Sequence, residues 1–265
     1  MERLLLLRTS QALRDNCVEF IMETIKRKGI KWHVLPRRDL IFGFIDKTGD
    51  FEPKVKKSAK KYITPKSTVL DIGSNFGSFV IPLAVQFPDT QFIAFEPQLE
   101  VFKELIANAE LNELNNFKAY NQVLSNKPNI ILHAPKVKYS GDDAEYNSGA
   151  MCFDTELRQR ILEKQGYTKR TPMEMGARDT LIYKSKRLDQ YIDEIENVSV
   201  IKLDVEGMEK KVLEGAIQII KRDKPVILFE MWDWYWTGLT EWLDMLNYEV
   251  KRINGDDYIA CSKEK

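Results

Sequence analysis

The segment Val69-Leu70-Asp71-Ile72-Gly73-Ser74-Asn75-Phe76-Gly77 constrains the fold more than any other stretch. Val69, Leu70 and Ile72 read as a buried strand that runs into a glycine-bearing turn, and residues 78–85 continue at helical spacing. Glu96 closes the next expected strand about 25 residues after Asp71. A turn of this kind presents backbone N–H groups and lets a ligand approach the main chain. An acid at that distance is placed to hold ribose hydroxyls. The chain is therefore expected to form an α/β fold that binds a nucleoside-containing cofactor.

The residues of the turn decide which cofactor. A dinucleotide fingerprint needs glycine at three positions, the second so that the backbone meets a pyrophosphate. Counted from Gly73, the other two positions hold Asn75 and Ser78. Asp71, on the strand before the turn, would repel a pyrophosphate and attract the ammonium of an amino acid. S-adenosyl-L-methionine (SAM) carries that ammonium, a ribose and an adenine, and no phosphate. The turn favours SAM over nicotinamide or flavin dinucleotides.

Strand and helix alternate beyond it. Strands are expected at 69–72, 91–95, 117–123, 180–184, 198–204 and 225–230, with helices at 78–87, 99–111, 188–195 and 210–221. Such alternation predicts a mostly parallel sheet with helices on both faces. A helix at 242–246 and an antiparallel hairpin of 249–253 with 258–261 close the chain. Upstream, apolar residues at helical spacing predict one or two helices from Leu4 to about Lys28, ending at Gly29. Residues 32–45 read as a hairpin or irregular strand pair, and 52–62 as a lysine-rich helix. The economical division is a helical extension, 1–47, and one main domain, 48–265, with 126–183 as an insertion on the acceptor side.

At 265 residues the chain is long enough for a full α/β core. Forty basic side chains balance forty acidic ones, so no global field draws in nucleic acid. Cys17, Cys152 and Cys261 form neither a zinc pattern nor a disulfide framework. No apolar run approaches a membrane span, so a soluble, cytoplasmic protein without a membrane partner is expected.

Three blocks, taken in order, resemble the FkbM-type SAM-dependent methyltransferases. They are Asp71 to Phe79, then Ala94-Phe95-Glu96-Pro97, then Ile201-Lys202-Leu203-Asp204-Val205-Glu206-Gly207-Met208-Glu209 running on to Leu213-Glu214-Gly215-Ala216 and Glu230. Thr48-Gly49-Asp50-Phe51-Glu52 precedes them, and the likeness covers roughly 48–255. Ser74 departs from the family's usual alanine. The resemblance implies a Rossmann-like class I methyltransferase fold, with a mostly parallel seven-stranded sheet and a C-terminal antiparallel hairpin. It also implies a SAM site built from Glu52, Asp71, Gly73, Ser74, Asn75, Phe76, Gly77, Glu96, Pro97, Gln122, Val123 and Asp204. In it, Asp71 and the glycine turn face the methionyl end, Glu96 the ribose, and Gln122 and Val123 the adenine.

Lys202, Asp204 and Glu206 alternate along one strand end, and Glu230 ends the neighbouring strand, at the edge where open α/β sheets bind ligands. A sugar hydroxyl is a poor nucleophile until its proton is taken. Either a carboxylate, Asp204 or Glu206, serves as base, or a lysine depressed by burial does so, positioned by Asp204 and Glu230. A further use of Asp204, Glu206 and Glu230, as oxygen ligands for Mg²⁺, stays open beside these. His33 and His133 have no partner at zinc spacing, although His133 could border the pocket. Glu209 reads as a helix-pairing residue, and the basic clusters Arg37-Arg38 and Lys56-Lys57 with Lys60-Lys61 as a solvated helix face rather than a site for a phosphate or an acidic glycan. Met231-Trp232-Asp233-Trp234-Tyr235-Trp236 offers rings for stacking or simply for packing.

Asp204-Val205-Glu206-Gly207 stands where enzymes that methylate base amino groups carry an Asn/Asp-Pro-Pro-aromatic tetrad, which argues for an oxygen acceptor. The expected function is O-methylation of a sugar hydroxyl in a glycan or glycosylated small molecule. The alternatives are an RNA ribose 2′-O-methyltransferase and a non-catalytic SAM-binding module.

Overall fold

Asp71 belongs to a strand on which every residue is buried, and the sheet is organised around it. The computed structural model describes residues 23–33, 39–135, 153, 180–234 and 238–264. Five parallel strands form the centre: β3 (Thr68–Ile72), β4 (Gln91–Phe95), β5 (Phe117–Tyr120), β8 (Val198–Leu203) and β9 (Val226–Glu230). With β10 (Tyr248–Asn254) and β11 (Asp257–Ser262) they make a seven-stranded sheet in the order β10-β11-β9-β8-β3-β4-β5. Only β11 runs against its neighbours, inserted between β9 and β10. The chain builds outward from β3 to β5 and then crosses to β8 on the other side of β3. That reversal between β3 and β8 opens the crevice in which such sheets hold ligands.

Alternate side chains of β3 feed two cores. Leu70 and Ile72 pack with Phe95, Leu203 and Val212 on one face, and Val69 with Phe92, Val200 and Leu228 on the other. The helices α3 (Val80–Gln86), α4 (Leu99–Leu111), α5 (Glu209–Glu214), α6 (Ile217–Asp223) and α7 (Leu239–Met245) connect the strands. Where one helix was expected over 210–221, Gly215 divides α5 from α6. A Cβ there would lie 2.2 Å from the Ser125 carbonyl oxygen, so the backbones meet too closely for a side chain. The expected helix at 188–195 is a single 3₁₀ turn, Leu188–Tyr191.

The N-terminal part departs further from expectation. Residues 1–22 lie outside the described residues, but β1 (Thr24–Arg27) is a strand where the tail of a helix was expected. It pairs with β2 (Ile30–His33) across a two-residue turn, with Lys28 at φ 46° and Gly29 at φ 87°. Gly29 thus makes a hairpin turn that needs two positive φ angles rather than a helix end. Residues 32–45 are not a strand pair either: Leu40–Thr48 is a helix, α1. Asp39 caps it by accepting from the Phe42 amide at 2.9 Å, and Gly49 ends it at φ 81°. The hairpin is tied to α4, since the Lys31 and His33 amides donate to Asn112 and Asn108 side-chain oxygens at 3.0 and 2.9 Å. Trp32, Phe42 and Ile45 join the same core as Val69 and Phe92. The helix α2 (Pro53–Ala59) falls where expected.

Within 126–183, β6 (Ile131–Pro135) pairs antiparallel with β7 (Thr180–Lys184), and Phe153 is buried. Residues 136–152 and 154–179 lie outside the described residues, as do the side chain of His133, Arg37-Arg38 and Tyr235-Trp236.

Candidate functional site

The glycine turn is held by backbone bonds before any ligand is considered. The Gly73 and Ser74 amides donate to the Phe95 carbonyl oxygen at 2.9 and 3.1 Å, which joins the end of β3 to the end of β4. Gly73 has φ 79°, and a Cβ on it would lie 1.8 Å from the Asp204 carbonyl oxygen. The first glycine is therefore required by the approach of the β8 end, not only by a ligand. Gly77, at φ 98°, lets Ile81 close over the turn. Phe76 is buried edge-on against Trp32, with ring centroids 6.0 Å apart.

An open cleft lies over this turn. Of the expected cofactor residues, Gly73, Asn75, Glu96, Pro97, Gln122, Val123 and Asp204 line it, with Lys202 and Glu206. Asp71, Ser74, Phe76 and Gly77 do not; they sit behind the wall. Glu52 and Glu230 line a smaller adjoining cavity with Lys202, Asp204 and Asp257. Ten lining residues were not expected as site residues, among them Ile41, Phe51, Gln98, Phe153 and Met208. Phe51 had a signal in its place beside Glu52 in the upstream block, and Met208 in its place in the third block. Ile41 had none, because its helix was missed.

Glu96 is buried and accepts the Asn75 amide at 3.0 Å and the Gln98 amide at 2.8 Å. Burial pushes it up to about 7, against the pull of those amides. Asp71 is fully buried, and neither of its oxygens receives a hydrogen bond. Burial raises it to about 6, with the nearby Lys202 opposing the rise. That carboxylate lies behind the cleft wall, where its negative field beneath the turn favours a cationic ligand. The residues present accordingly suit SAM.

Lys202 is the hinge of the electrostatics. Its Nζ lies 3.2 Å from Asp204 Oδ2 and 3.9 Å from Asp71 Oδ1. Burial alone would lower its pKa, but Asp204, Glu52 and Asp71 overcome burial and hold it well above the ordinary lysine range. Lys202 is thus an ammonium, and the expectation of a burial-depressed lysine base does not fit its surroundings. Glu206 stands at φ 52°, a left-handed conformation that a non-glycine residue adopts under constraint. Glu209 supplies that constraint: its buried carboxylate accepts the Val205 and Gly207 amides at 3.3 and 3.2 Å. It orders the loop instead of pairing along a helix. Burial and then the neighbouring Asp204 and Glu230 carboxylates push Glu206 well up. Burial and Asp204 raise Glu230 to about 8, although the Trp232 indole donates to it at 3.2 Å.

Among the described residues, no group of three or more His, Cys, Asp or Glu is arranged to hold a metal ion. The Mg²⁺ use of Asp204, Glu206 and Glu230 therefore has no support in their geometry. Trp232 and Trp234 stack with centroids 5.4 Å apart, beside Glu230. Lys56 is not on a solvated face: it is buried, donates to the Ser78 carbonyl oxygen at 3.0 Å and pairs with Asp50.

A parallel sheet with one inserted antiparallel strand, a glycine turn over a buried acid and a second buried acid just past the end of the next strand define the class I methyltransferase architecture. Within that class, the Methyltransferase FkbM domain family matches residues 71–253, and the chain belongs to that family. It is 25% identical over 175 residues to Methyltransferase 1 of Beauveria bassiana, covering 65% of this chain and 64% of that protein. It is 29% identical over 120 residues to the ribosomal RNA small subunit methyltransferase G of Helicobacter pylori, covering 44% of this chain and 64% of that one. The chain thus spans under two thirds of the curated relatives it matches. A methyltransferase FkbM structure from Methylobacillus flagellatus aligns with a TM-score of 0.44 at 12% identity, over 86% of this chain and 62% of that one.

Proposed function

We propose that the protein is a SAM-dependent O-methyltransferase acting on a sugar hydroxyl, in a glycan or a glycosylated small molecule. The observation that carries the reading is the gathering of the Asp204, Glu206 and Glu230 carboxyls at the rim of the cofactor cavity. In this reading Asp71 and the turn from Gly73 to Gly77 hold the methionyl end, Glu96 the ribose, and Gln122 with Val123 the adenine edge. Bound SAM supplies a methyl group on a sulfonium, open to in-line displacement. Lys202 fixes Asp71 and Asp204, and Glu206 or Glu230 accepts the hydroxyl proton. Burial and like charge push Glu206 well up and Glu230 to about 8, and a raised carboxyl is the better proton acceptor. Trp232 orients Glu230. An RNA acceptor would bring a polyanion to a rim of carboxylates. Residues 48–265 form the methyltransferase domain in this reading, 126–183 the acceptor side, and the protein works in the cytoplasm.

The test is transfer of labelled methyl from SAM to a panel of glycans and glycosides, with Glu206→Gln and Glu230→Gln beside the parent. At least one variant should lose roughly 10²–10⁴-fold in turnover while still binding S-adenosylhomocysteine (SAH). Label arriving on nitrogen, or full turnover in both variants, would defeat the proposal. Steep loss of acceptor binding with added salt would point to RNA instead.

A further inference from the structure

The cavity suited to SAM is short of cations. Among the described residues lining it and the smaller cavity beside it, Glu52, Glu96, Asp204, Glu206, Glu230 and Asp257 are acidic, and Lys202 is the one cation. Lys202 is already engaged with Asp204 and Asp71. Among the described residues, no lysine or arginine forms an ion pair with Glu206 or Glu230. Beneath the turn, Asp71 keeps two buried oxygens without a donor.

SAM and its product SAH share adenine, ribose, ammonium and carboxylate. They differ in charge at one atom, a sulfonium in SAM and a neutral thioether in SAH. We propose that this carboxylate-rich cavity selects for the sulfonium, binding SAM more tightly than SAH and so releasing its own product, with Glu206 and Glu230 setting the selectivity. The inference rests on the SAM reading above. A cation in a partly desolvated cavity feels nearby carboxylates more strongly than it would in water, and little salt reaches it. Stripping water from the sulfonium opposes binding, and two carboxylates without a cation partner offset that cost. In the transfer, the carbon–sulfur bond breaks with its electron pair left on sulfur. The carbon–oxygen bond forms, and the acceptor proton passes to a carboxylate. Sulfonium and carboxylate are thus neutralised together, and the attraction that held the donor is gone when SAH remains.

The selectivity is expected to depend on pH. Facing Glu206 and Glu230 are Lys202 from β8, Asp204 just past its end and Glu209 from α5, with Trp232 beyond β9. Glu52, ahead of α2, and Asp257, on β11, flank Lys202 from the other side. Burial and like charge raise both acids, Glu230 to about 8. Glu230 carries full charge only on the alkaline side, and Glu206 gains charge in the same direction, so the preference for SAM should widen as pH rises.

The experiment is calorimetric titration of the full chain with SAM, SAH and sinefungin, at pH 6 and pH 8.5. Sinefungin bears an amine, cationic near neutral pH, in place of the sulfonium. SAM and sinefungin are expected to bind about tenfold more tightly than SAH at pH 8.5, with a narrower gap at pH 6. A Glu206→Gln/Glu230→Gln double variant should keep its affinity for SAH and lose the gap. If that variant does not fold, the pH comparison on the parent carries the test. SAH binding as tightly as SAM at pH 8.5, a gap indifferent to pH, or a gap retained in the folded double variant would overturn the inference. Failure of all three ligands to bind would sink the cofactor reading, and this inference with it.

Discussion

Gly73 and Asp71 show how much a single position can decide here. The glycine carries a positive φ and leaves no room for a Cβ against the Asp204 carbonyl oxygen. Gly73→Ala should force the β3 and β8 ends apart, weaken SAH binding and cost about 1–3 kcal/mol, read as a lower denaturant midpoint. Asp71 is an acid kept buried without a hydrogen-bond donor, which a chain bears at a functional site more readily than in a plain core. Asp71→Asn should reduce affinity for SAH at least several-fold while the protein stays folded. Unchanged affinity by calorimetry would remove Asp71 from the cofactor site. Glu230 and Glu206 were legible as candidates from their strand ends. Glu209 was misread, because sequence spacing cannot tell a helix-pairing acid from one turned back onto its own loop.

Elements with a strong local signal were readable, and those set by packing were not. The strand Gln91–Phe95 and the helix Leu99–Leu111 fall where periodicity put them. The helix α1 was missed even though Asp39 and Gly49 stand at its ends as cap residues, because Phe42, Phe44 and Ile45 also suit a strand. Its cap can be tested: Asp39→Ala should destabilise the protein by about 0.5–2 kcal/mol, measured by chemical denaturation. Ile41, on the same helix, lines the cleft proposed to hold SAM, so a weakened cap should also raise the dissociation constant for SAH. Gly215 divides α5 from α6 because Ser125 approaches from a distant part of the chain. Gly215→Ala should cost about 1–3 kcal/mol through overpacking, seen as a lowered melting temperature.

On the scale of the whole molecule, the buried acids tie stability to pH. Asp71 is raised to about 6, Glu52, Glu96 and Glu209 to about 7, and Glu230 to about 8, all chiefly by burial. Each holds its proton more tightly folded than unfolded, so the native state binds more protons across that interval. Stability must then fall as pH rises. The melting temperature of the ligand-free protein should decline between about pH 5 and pH 8, and bound SAM should restore part of the loss at pH 8. A melting temperature that rises over that range would contradict the charge states assigned to the cavity.

The sequence by itself determined the glycine turn, the acid that follows it, the alternation that commits the chain to a parallel sheet, and the family. Those features are local: they lie in spacing and residue type within a few turns of chain. The tertiary structure decided the rest, because its causes lie far apart in sequence. It made Lys202 an ammonium by bringing Asp71 and Glu52 to it, and it folded the N-terminal hairpin onto α4. It also placed Glu230 and Glu206 within each other's field, so that burial and like charge, which no spacing reveals, raised both.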